Sequence, residues 1–163
     1  MSKRSKAKGI IPQVWESIGH WHSPDGKRNK DTYTVTFESM LRSPAMARLT
    51  PRQQMLVIIC RAQCSGKHRP RHDLTTQEVE QIAADAGITP AELRQDRVFY
   101  LSWDTAKQYP LYRGVHERQV FHRDMQQLHR AGFIEILRRG VNKRYKTIYR
   151  LSDEWRDKTN KDG

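Results

Sequence analysis

Residues 117–151 read ERQVFHRDMQQLHRAGFIEILRRGVNKRYKTIYRL. The first part has the apolar spacing of an amphipathic helix from Glu117 to Ala131. Gly132 follows directly, and a glycine just past the last turn is a common end of a helix. The second part predicts a β-hairpin with strands at 134–139 and 145–151 around the loop GVNKR. A long helix that leads into a basic hairpin is therefore the central feature of the chain.

This helix has an apolar side and a side rich in Arg and Gln. On a helical wheel Phe121, Met125 and Leu128 form one stripe, which we expect to be buried. The opposite side carries Gln119, Arg123, Gln126 and Arg130. Arg can pair bidentately with guanine and Gln with adenine, so this side suits the major groove of DNA. The predicted base contacts are Arg123, Gln119, Gln126 and His122, in that order. A solvated polar face is the alternative.

Much of the basic surplus lies around this helix and in the hairpin. Residues 105–150 hold eleven Lys and Arg against three acids, a surplus of eight. Basic residues at a hairpin tip suit phosphates or a minor groove. The predicted contacts to the DNA backbone are Arg113, His116, Arg118, Arg130, Arg138, Arg139, Lys143, Arg144 and Lys146.

A short strand and a second helix are predicted just before the long helix. FYLSW, residues 99–103, has the composition of a strand. Asp104 is the predicted N-cap of a helix that continues to about Tyr109 and ends at Pro110. A turn at Arg113 and Gly114 then connects the two helices.

The order strand, helix, turn, helix, two-stranded wing resembles the winged helix-turn-helix family, above all in HRDMQQLHRAGFIEI, residues 122–136. From about Tyr33 onward the chain is also similar to winged-helix proteins of bacterial plasmids and conjugative elements. The residues that carry this similarity are YTVTFESMLRSPAMARLTPRQQMLVIIC, FYLSW and YRLSDEW. The resemblance implies DNA binding, in transfer, replication or transcription. Many such proteins bind paired half-sites as dimers, although the sequence shows no dimer seam.

Two patterns lie nearer the N-terminus. YTVTF, residues 33–37, alternates in a way that predicts a strand. Thr50, Pro51 and Gln53 are typical of a helix start with a capping box, and we expect a helix from Pro51 to about Cys64. Its apolar residues form two stripes, so it should be buried on two sides as a scaffold helix. The stripes are Met55, Leu56, Ile58, Ile59 and Ala62, and Val57, Cys60 and Cys64.

Residues 74–96 predict a helical insertion. Thr75–Glu78 and Thr89–Glu92 both fit a capping box, with Gly87 in the turn between two helices. Glu92 and Asp96 stand where a DNA-reading helix would carry basic residues, so we interpret the segment as structural.

The predicted architecture is thus α+β, a winged helix-turn-helix with a helical insertion between the first helix and the recognition unit. We expect a basic arm and loop at 1–32, the winged-helix domain at 33–155 and a flexible tail at 156–163.

Cys60, Cys64, His68 and His72 are spaced four apart, as metal ligands sometimes are. On one straight helix they would extend over about 18 Å, too far for a single ion. The cysteines fit the buried stripe as small apolar residues, and the histidines are assigned to a basic loop facing DNA or solvent. The sequence predicts no metal and no cofactor. No catalytic constellation is apparent either, so no enzymatic activity is predicted.

The 163 residues carry a net charge of +12, which favours a polyanionic partner. We expect that partner to be double-stranded DNA, with other transfer or replication proteins and a second copy on DNA as further candidates. No apolar run approaches the length of a membrane span, so we expect a cytoplasmic protein with no membrane partner.

Two other functions stay open. A protein-interaction module with the same fold predicts weak, salt-labile DNA binding and an apolar surface patch. A binder of RNA or single-stranded DNA would stack bases on Trp15, Trp21 or Tyr33.

Overall fold

The computed structural model describes residues 20–22, 28–30, 34, 36–65, 69–113, 116–140 and 145–157. The chain divides into two units, Met1–Tyr33 and Thr34–Gly163. The first contains an antiparallel strand pair, β1 (His20–His22) and β2 (Arg28–Lys30), in which His20 lies opposite Lys30. Part of the loop predicted within residues 1–32 is therefore strand. Residues 1–19 of the predicted basic arm and loop lie outside the described residues.

The second unit begins with two short helices, α1 (Glu38–Leu41) and α2 (Pro44–Ala47). The strand predicted at 33–37 is wrong for its described residues, because none of them is in a strand and Phe37 is the N-cap of α1. The side chain of Ser43 caps α2 by accepting a hydrogen bond from the amide of Met46 at 3.1 Å.

The scaffold helix α3 (Pro51–Gln63) has the predicted capping box between Thr50 and Gln53. It is buried along two stripes, as expected, through Leu56 and Ile59 on one and Val57 and Cys60 on the other. The prediction was wrong for Met55, whose side chain is 45% exposed.

Along the chain, three helices lie between α3 and the first strand of the main sheet. They are α4 (Pro70–Asp73), α5 (Thr76–Ala86) and α6 (Pro90–Leu93). Both predicted capping boxes are present. Gly87 has a φ of 67°, which glycine adopts without steric cost, and it ends α5 as predicted.

Strand β3 (Val98–Tyr100) and helix α7 (Trp103–Ala106) follow. Both predictions here needed correction. The strand is shorter than FYLSW, and the N-cap is Ser102 rather than Asp104, because the Ser102 hydroxyl accepts from the amide of Thr105 at 3.3 Å. The helix ends at Ala106, three residues before Tyr109.

The last elements are α8 (Glu117–Arg130), β4 (Ile134–Arg138), β5 (Ile148–Leu151) and a short 3₁₀ helix (Glu154–Arg156). The helix and hairpin are where they were predicted, although both strands are shorter. The sheet is antiparallel in the order β3–β5–β4, with an irregularity between Ile136 and Arg138.

Helices cover both faces of this sheet. Phe99 and Tyr149 stack at 5.6 Å between ring centroids and pack in the larger core, with residues of α3 and α8. Val98 and Ile148 point to the other face and form a second core with residues of α5 and α6. The architecture is α+β, and the sheet separates α8 from α5 and α6.

Candidate nucleic-acid interface

Helix α8 is anchored along one side and at its C-terminus. Phe121, Met125 and Leu128 are 1%, 2% and 0% exposed, which confirms the predicted stripe. Gly132 has a φ of 79°, and the Phe133 amide donates to the Leu128 carbonyl at 3.0 Å. This helix end, which needs the left-handed glycine conformation, turns the chain directly into β4.

The predicted base-contacting residues project from the other sides of α8. Gln119, His122 and Arg123 are exposed, whereas Gln126 is half-buried. Within the described part of the chain, Gln119 and Arg123 make no side-chain hydrogen bond or ion pair, so their polar groups can reach a ligand.

Basic residues predicted to contact the backbone of DNA lie at both ends of the helix. His116 and Arg118 are exposed at its N-terminal end, and Arg130 is exposed at its C-terminal end. Arg113 is exposed in the segment that precedes α8.

His122 on this surface has a shifted pKa. Partial burial lowers the pKa of its imidazole, and the nearby positive charge of Arg118 lowers it further. Its ring centroid lies 5.3 Å from that of Phe121, so the imidazole rests partly on the core. The free protein therefore carries a neutral His122 at pH 7.

The base of the hairpin holds two cations over aromatic rings. The guanidinium of Arg138 lies 5.0 Å from the ring centroid of Tyr145, and the ammonium of Lys146 lies 5.0 Å from that of Tyr100. Lys146 and Arg139 are exposed, whereas Arg138 is half-buried. Tyr100 packs against the second core, so the Lys146 contact lies on the sheet face that α5 and α6 cover.

Gly140 lies close to the residues that lead into the second strand of the hairpin. Its amide donates to the Thr147 hydroxyl at 3.0 Å, and a Cβ here would collide with the Tyr145 carbonyl. The predicted contacts Lys143 and Arg144 lie outside the described residues.

Asp124, a residue that the sequence pattern did not single out, is almost completely buried on α8 at 2% exposure. Its Oδ2 accepts from Arg52 Nε at 2.7 Å and from the Tyr112 hydroxyl at 3.1 Å, and its Oδ1 accepts from Gln53 Nε2 at 2.9 Å. One signal was present in the sequence: Asp124 follows Phe121 by three positions and so faces the buried side of the wheel. Its partners could not be predicted, because they come from distant segments.

The ionisable donors to this carboxylate keep their protons. The hydrogen bond from Asp124 raises the pKa of the Arg52 guanidinium. Burial raises the pKa of Tyr112, and the negative charge of Asp124 raises it further. The cluster is therefore a carboxylate with one cationic and two neutral donors.

The helices on the far face of the sheet are acidic. Residues 74–96 hold five acids and one base, which lie on or beside α5 and α6. These helices cover the sheet face away from α8, where strand cations meet them: Arg150 pairs with Glu92, and Lys146 lies over Tyr100 of the second core.

Cys60 is buried and Cys64 half-buried in the larger core. Burial raises the pKa of the Cys60 thiol, and burial raises that of Cys64 to about 12. Both environments disfavour the thiolate that binds metals. Among the described residues, no three His, Cys, Asp or Glu side chains converge as a metal site requires.

The basic loop predicted after Cys64 is partly helical, because His72 belongs to α4. Its arginines are also not free to face DNA. Arg69 and Arg71 donate to Asp96 at 3.1 and 2.7 Å, and Arg69 donates to the Cys64 carbonyl at 2.6 Å. His68 lies outside the described residues.

An apolar cavity of about 290 Å³ lies between α3 and the segment before α8. It is lined by Met55, Ile58, Ile59, Ala62, Tyr109, Pro110 and Leu111. Phe37 and Leu41 are further exposed apolar residues, at 48% and 49%. Of the helices described, none combines the length and apolar character of a membrane span.

Comparison with protein-family models, with curated proteins and with solved structures finds no match to this chain.

Proposed function

We propose that the chain is a winged-helix protein that binds double-stranded DNA sequence-specifically, with α8 in the major groove and residues 138–146 on phosphates or in a minor groove. One observation carries the proposal: α8 exposes Gln119 and Arg123 away from its buried stripe and continues directly into a hairpin with basic residues at its base. Arg and Gln on one exposed helix side provide the donors and acceptors that read base edges.

The order of elements supports the proposed fold. Scaffold helix α3, strand β3, helices α7 and α8, and the hairpin β4–β5 follow one another, and β5 pairs between β3 and β4. This is the order of a winged helix-turn-helix, with α4, α5 and α6 inserted before the first strand.

The charge distribution supports one mode of approach to DNA. Exposed cations lie at both ends of α8, and the acids of residues 74–96 lie on helices across the sheet. Such a segregated field would steer the basic side toward a polyanion.

The proposed biological role is that of a transfer or replication accessory factor, or a transcriptional regulator, of a bacterial mobile element. It rests on the sequence resemblance of residues 122–136 and of the segments around YTVTF and YRLSDEW. Such a protein would act in the cytoplasm, bind DNA alone or as a homodimer, and contact other transfer or replication proteins.

The decisive experiment selects bound duplexes from a random pool and compares a selected duplex with a scrambled one by fluorescence anisotropy. At physiological salt, we expect the affinity for the selected duplex to exceed that for the scrambled duplex by a factor of roughly a thousand or more. Arg123→Ala should reduce this preference by about 5- to 150-fold, the equivalent of about 1–3 kcal/mol for a bidentate base contact.

Arg94→Ala is the matched control, because Arg94 is also exposed but follows α6 on the far side of the sheet. It should leave the preference unchanged. No enriched sequence, or equal affinity of the native chain for both duplexes, would contradict the proposal.

The exposed apolar residues favour a second candidate function, a protein-interaction module. Phe37, Leu41 and Met55 each expose about half of their side chains, and Met55 also borders the apolar cavity. Under this alternative, DNA binding is weak, abolished at moderate salt and indifferent to sequence, which the same selection would reveal.

A further inference from the structure

The carboxylate of Asp124 joins three separate segments of the chain. Two of its donors, Arg52 and Gln53, belong to the first turn of α3, and the third, Tyr112, belongs to the segment before α8. Both carboxylate oxygens are engaged, at 2.7 to 3.1 Å. The buried acid is therefore held from two directions.

Each donor is itself held in place. The Oε1 atom of Gln53 accepts from the Thr50 amide at 3.1 Å, so the same side chain caps α3 and donates to Asp124. The Tyr112 ring lies edge-on to Phe121, with centroids 5.6 Å apart, and packs against Trp103 at 6.0 Å. These contacts leave the donors little freedom to follow a displaced carboxylate.

Asp124 is adjacent to Arg123, the first predicted base contact. Consecutive residues of an α-helix point about 100° apart, so fixing the direction of Asp124 also fixes that of Arg123. The stripe of Phe121, Met125 and Leu128 holds α8 through non-directional apolar contacts. Charge-assisted hydrogen bonds are shorter and directional, and so restrict rotation and sliding of the helix.

A buried ion pair is weak support for stability, because desolvation of the charges offsets much of their attraction. Its better-attested use is to select one arrangement among several of similar energy. Arg52 is 40% exposed in its side chain, whereas Asp124 is 2% exposed, so the cost of desolvation falls mainly on Asp124. A buried carboxylate inside the proposed DNA-reading helix therefore fits a role in placing that helix.

We infer that Asp124 is a positioning residue of the proposed DNA interface: its bonds to Arg52, Gln53 and Tyr112 set the rotation and axial position of α8, and thereby the sequence preference. The inference rests on the proposed function. It concerns the ratio of affinities for selected and scrambled duplexes, because phosphate contacts tolerate small shifts of α8 and base contacts do not.

The test measures this ratio for the native chain and two variants at a temperature where circular dichroism shows each to be folded. Asp124→Asn removes the charge, and Tyr112→Phe removes one donor while keeping the ring contacts. We expect the ratio to fall at least about tenfold in Asp124→Asn and about threefold in Tyr112→Phe, since bonds to an ionised group are the stronger ones. Affinity for the scrambled duplex should change less than about twofold.

A double variant and a matched control sharpen the result. If Arg52 acts through Asp124, Arg52→Gln combined with Asp124→Asn should lower the ratio no further than Asp124→Asn alone. Asp85→Asn is the control, because Asp85 is an exposed acid of α5 that accepts from Gln81 at 3.0 Å. It should leave the ratio unchanged.

The outcomes separate this inference from the proposed function. A native chain that does not distinguish the duplexes contradicts the proposed function. A native chain that distinguishes them, with folded variants that do so equally well, overturns the role of Asp124 alone. The same holds if the variants lose affinity for both duplexes in proportion, since that is a structural role. Should Asp124→Asn fail to fold, Tyr112→Phe decides.

Discussion

Arg150 on β5 donates to Glu135 on β4, with Nη2 2.6 Å from Oε2. Its Nη1 atom lies 3.4 Å from Oε1 of Glu92 on α6. This arginine is one of the eleven Lys and Arg in residues 105–150, yet it is paired on the sheet face that α5 and α6 cover. The cations left to reach DNA are therefore the exposed ones, such as Arg118 and Arg123 on α8 and Arg139 and Lys146 at the base of the hairpin.

Removing hairpin cations should weaken binding to all duplexes alike. We expect Arg139→Ala and Lys146→Ala each to lower the affinities for selected and scrambled DNA by the same factor, because phosphate contacts carry no sequence information. The slope of log K against log salt should become shallower by about 0.9 for each phosphate that the variant no longer neutralises. Anisotropy titrations over a range of salt concentrations measure both quantities.

Arg94→Ala again serves as the control and should keep the native salt slope. An unchanged slope in both hairpin variants would show that the hairpin does not touch phosphates. A change confined to the selected duplex would instead assign these residues to base contacts.

Proton uptake at His122 should accompany DNA binding. The pKa of His122 is below its ordinary value of 6.5 in the free protein, and a nearby phosphate would raise it. At pH values between these two pKa values, His122 takes up a proton when DNA binds. Affinity should therefore increase as pH falls toward and below 6.5, the ordinary pKa of histidine. His122→Gln keeps a polar side chain but does not titrate, and should bind with a shallower pH dependence.

The difference between the native chain and this variant isolates His122 from the other histidines. Anisotropy titrations at several pH values and constant ionic strength provide the comparison. Identical pH profiles would place His122 away from the phosphates.

Features that depend on neighbouring residues could be predicted from the sequence. A capping box needs two side chains three positions apart, and those of α3, α5 and α6 are all present. The C-terminal ends of α5 and α8, at Gly87 and Gly132, likewise each depend on a single residue with positive φ. The exposed side of α8 follows from helical periodicity alone, which is why Gln119 and Arg123 are exposed as expected.

Features that depend on distant residues could not be predicted. YTVTF has the composition of a strand, but its described residues pair with no other strand. Met55 matches an apolar stripe, yet no element in the described structure covers it fully. The bonds of Asp124 to Arg52 and Gln53 connect residues 72 and 71 positions apart, a relation that periodicity does not contain.

Acid should weaken the two inserted helices through their capping carboxylates. Hydrogen bonds from Thr75 and Thr89 lower the pKa values of Glu78 and Glu92 below their ordinary 4.5. A lowered folded pKa contributes stability above the unfolded value, and this stability disappears as pH falls below 4.5 toward the folded pKa. Thermal melts between neutral pH and about pH 3 should show this decline, and Glu92→Gln should make it shallower.

Glu80→Gln is the matched control, since Glu80 is an exposed acid of α5 that takes no part in its capping box. It should follow the native pH profile. The assignment fails if Glu92→Gln loses stability with acid as steeply as the native chain does.

Substitution by alanine should destabilise the protein to different extents at two glycines with positive φ. Gly132, at a φ of 79°, lies where an added Cβ would be 2.7 Å from the Trp155 nitrogen and 2.8 Å from the Glu154 carbonyl carbon. Gly87, at 67°, has no atom within 4 Å of such a Cβ. Gly87→Ala should therefore cost only the backbone strain, about 1–2 kcal/mol.

Gly132→Ala should add an overpacking cost of about 1–3 kcal/mol to the same strain. Urea denaturation of both variants measures the difference in the free energy of unfolding. Because the clash is with backbone atoms, moving a side chain cannot relieve it, and the turn from α8 into β4 must shift. In Gly132→Ala that shift should also lower affinity for the selected duplex, whereas Gly87→Ala should bind like the native chain. Equal losses of stability in the two variants would mean that the approach of Trp155 to Gly132 is not a tight constraint.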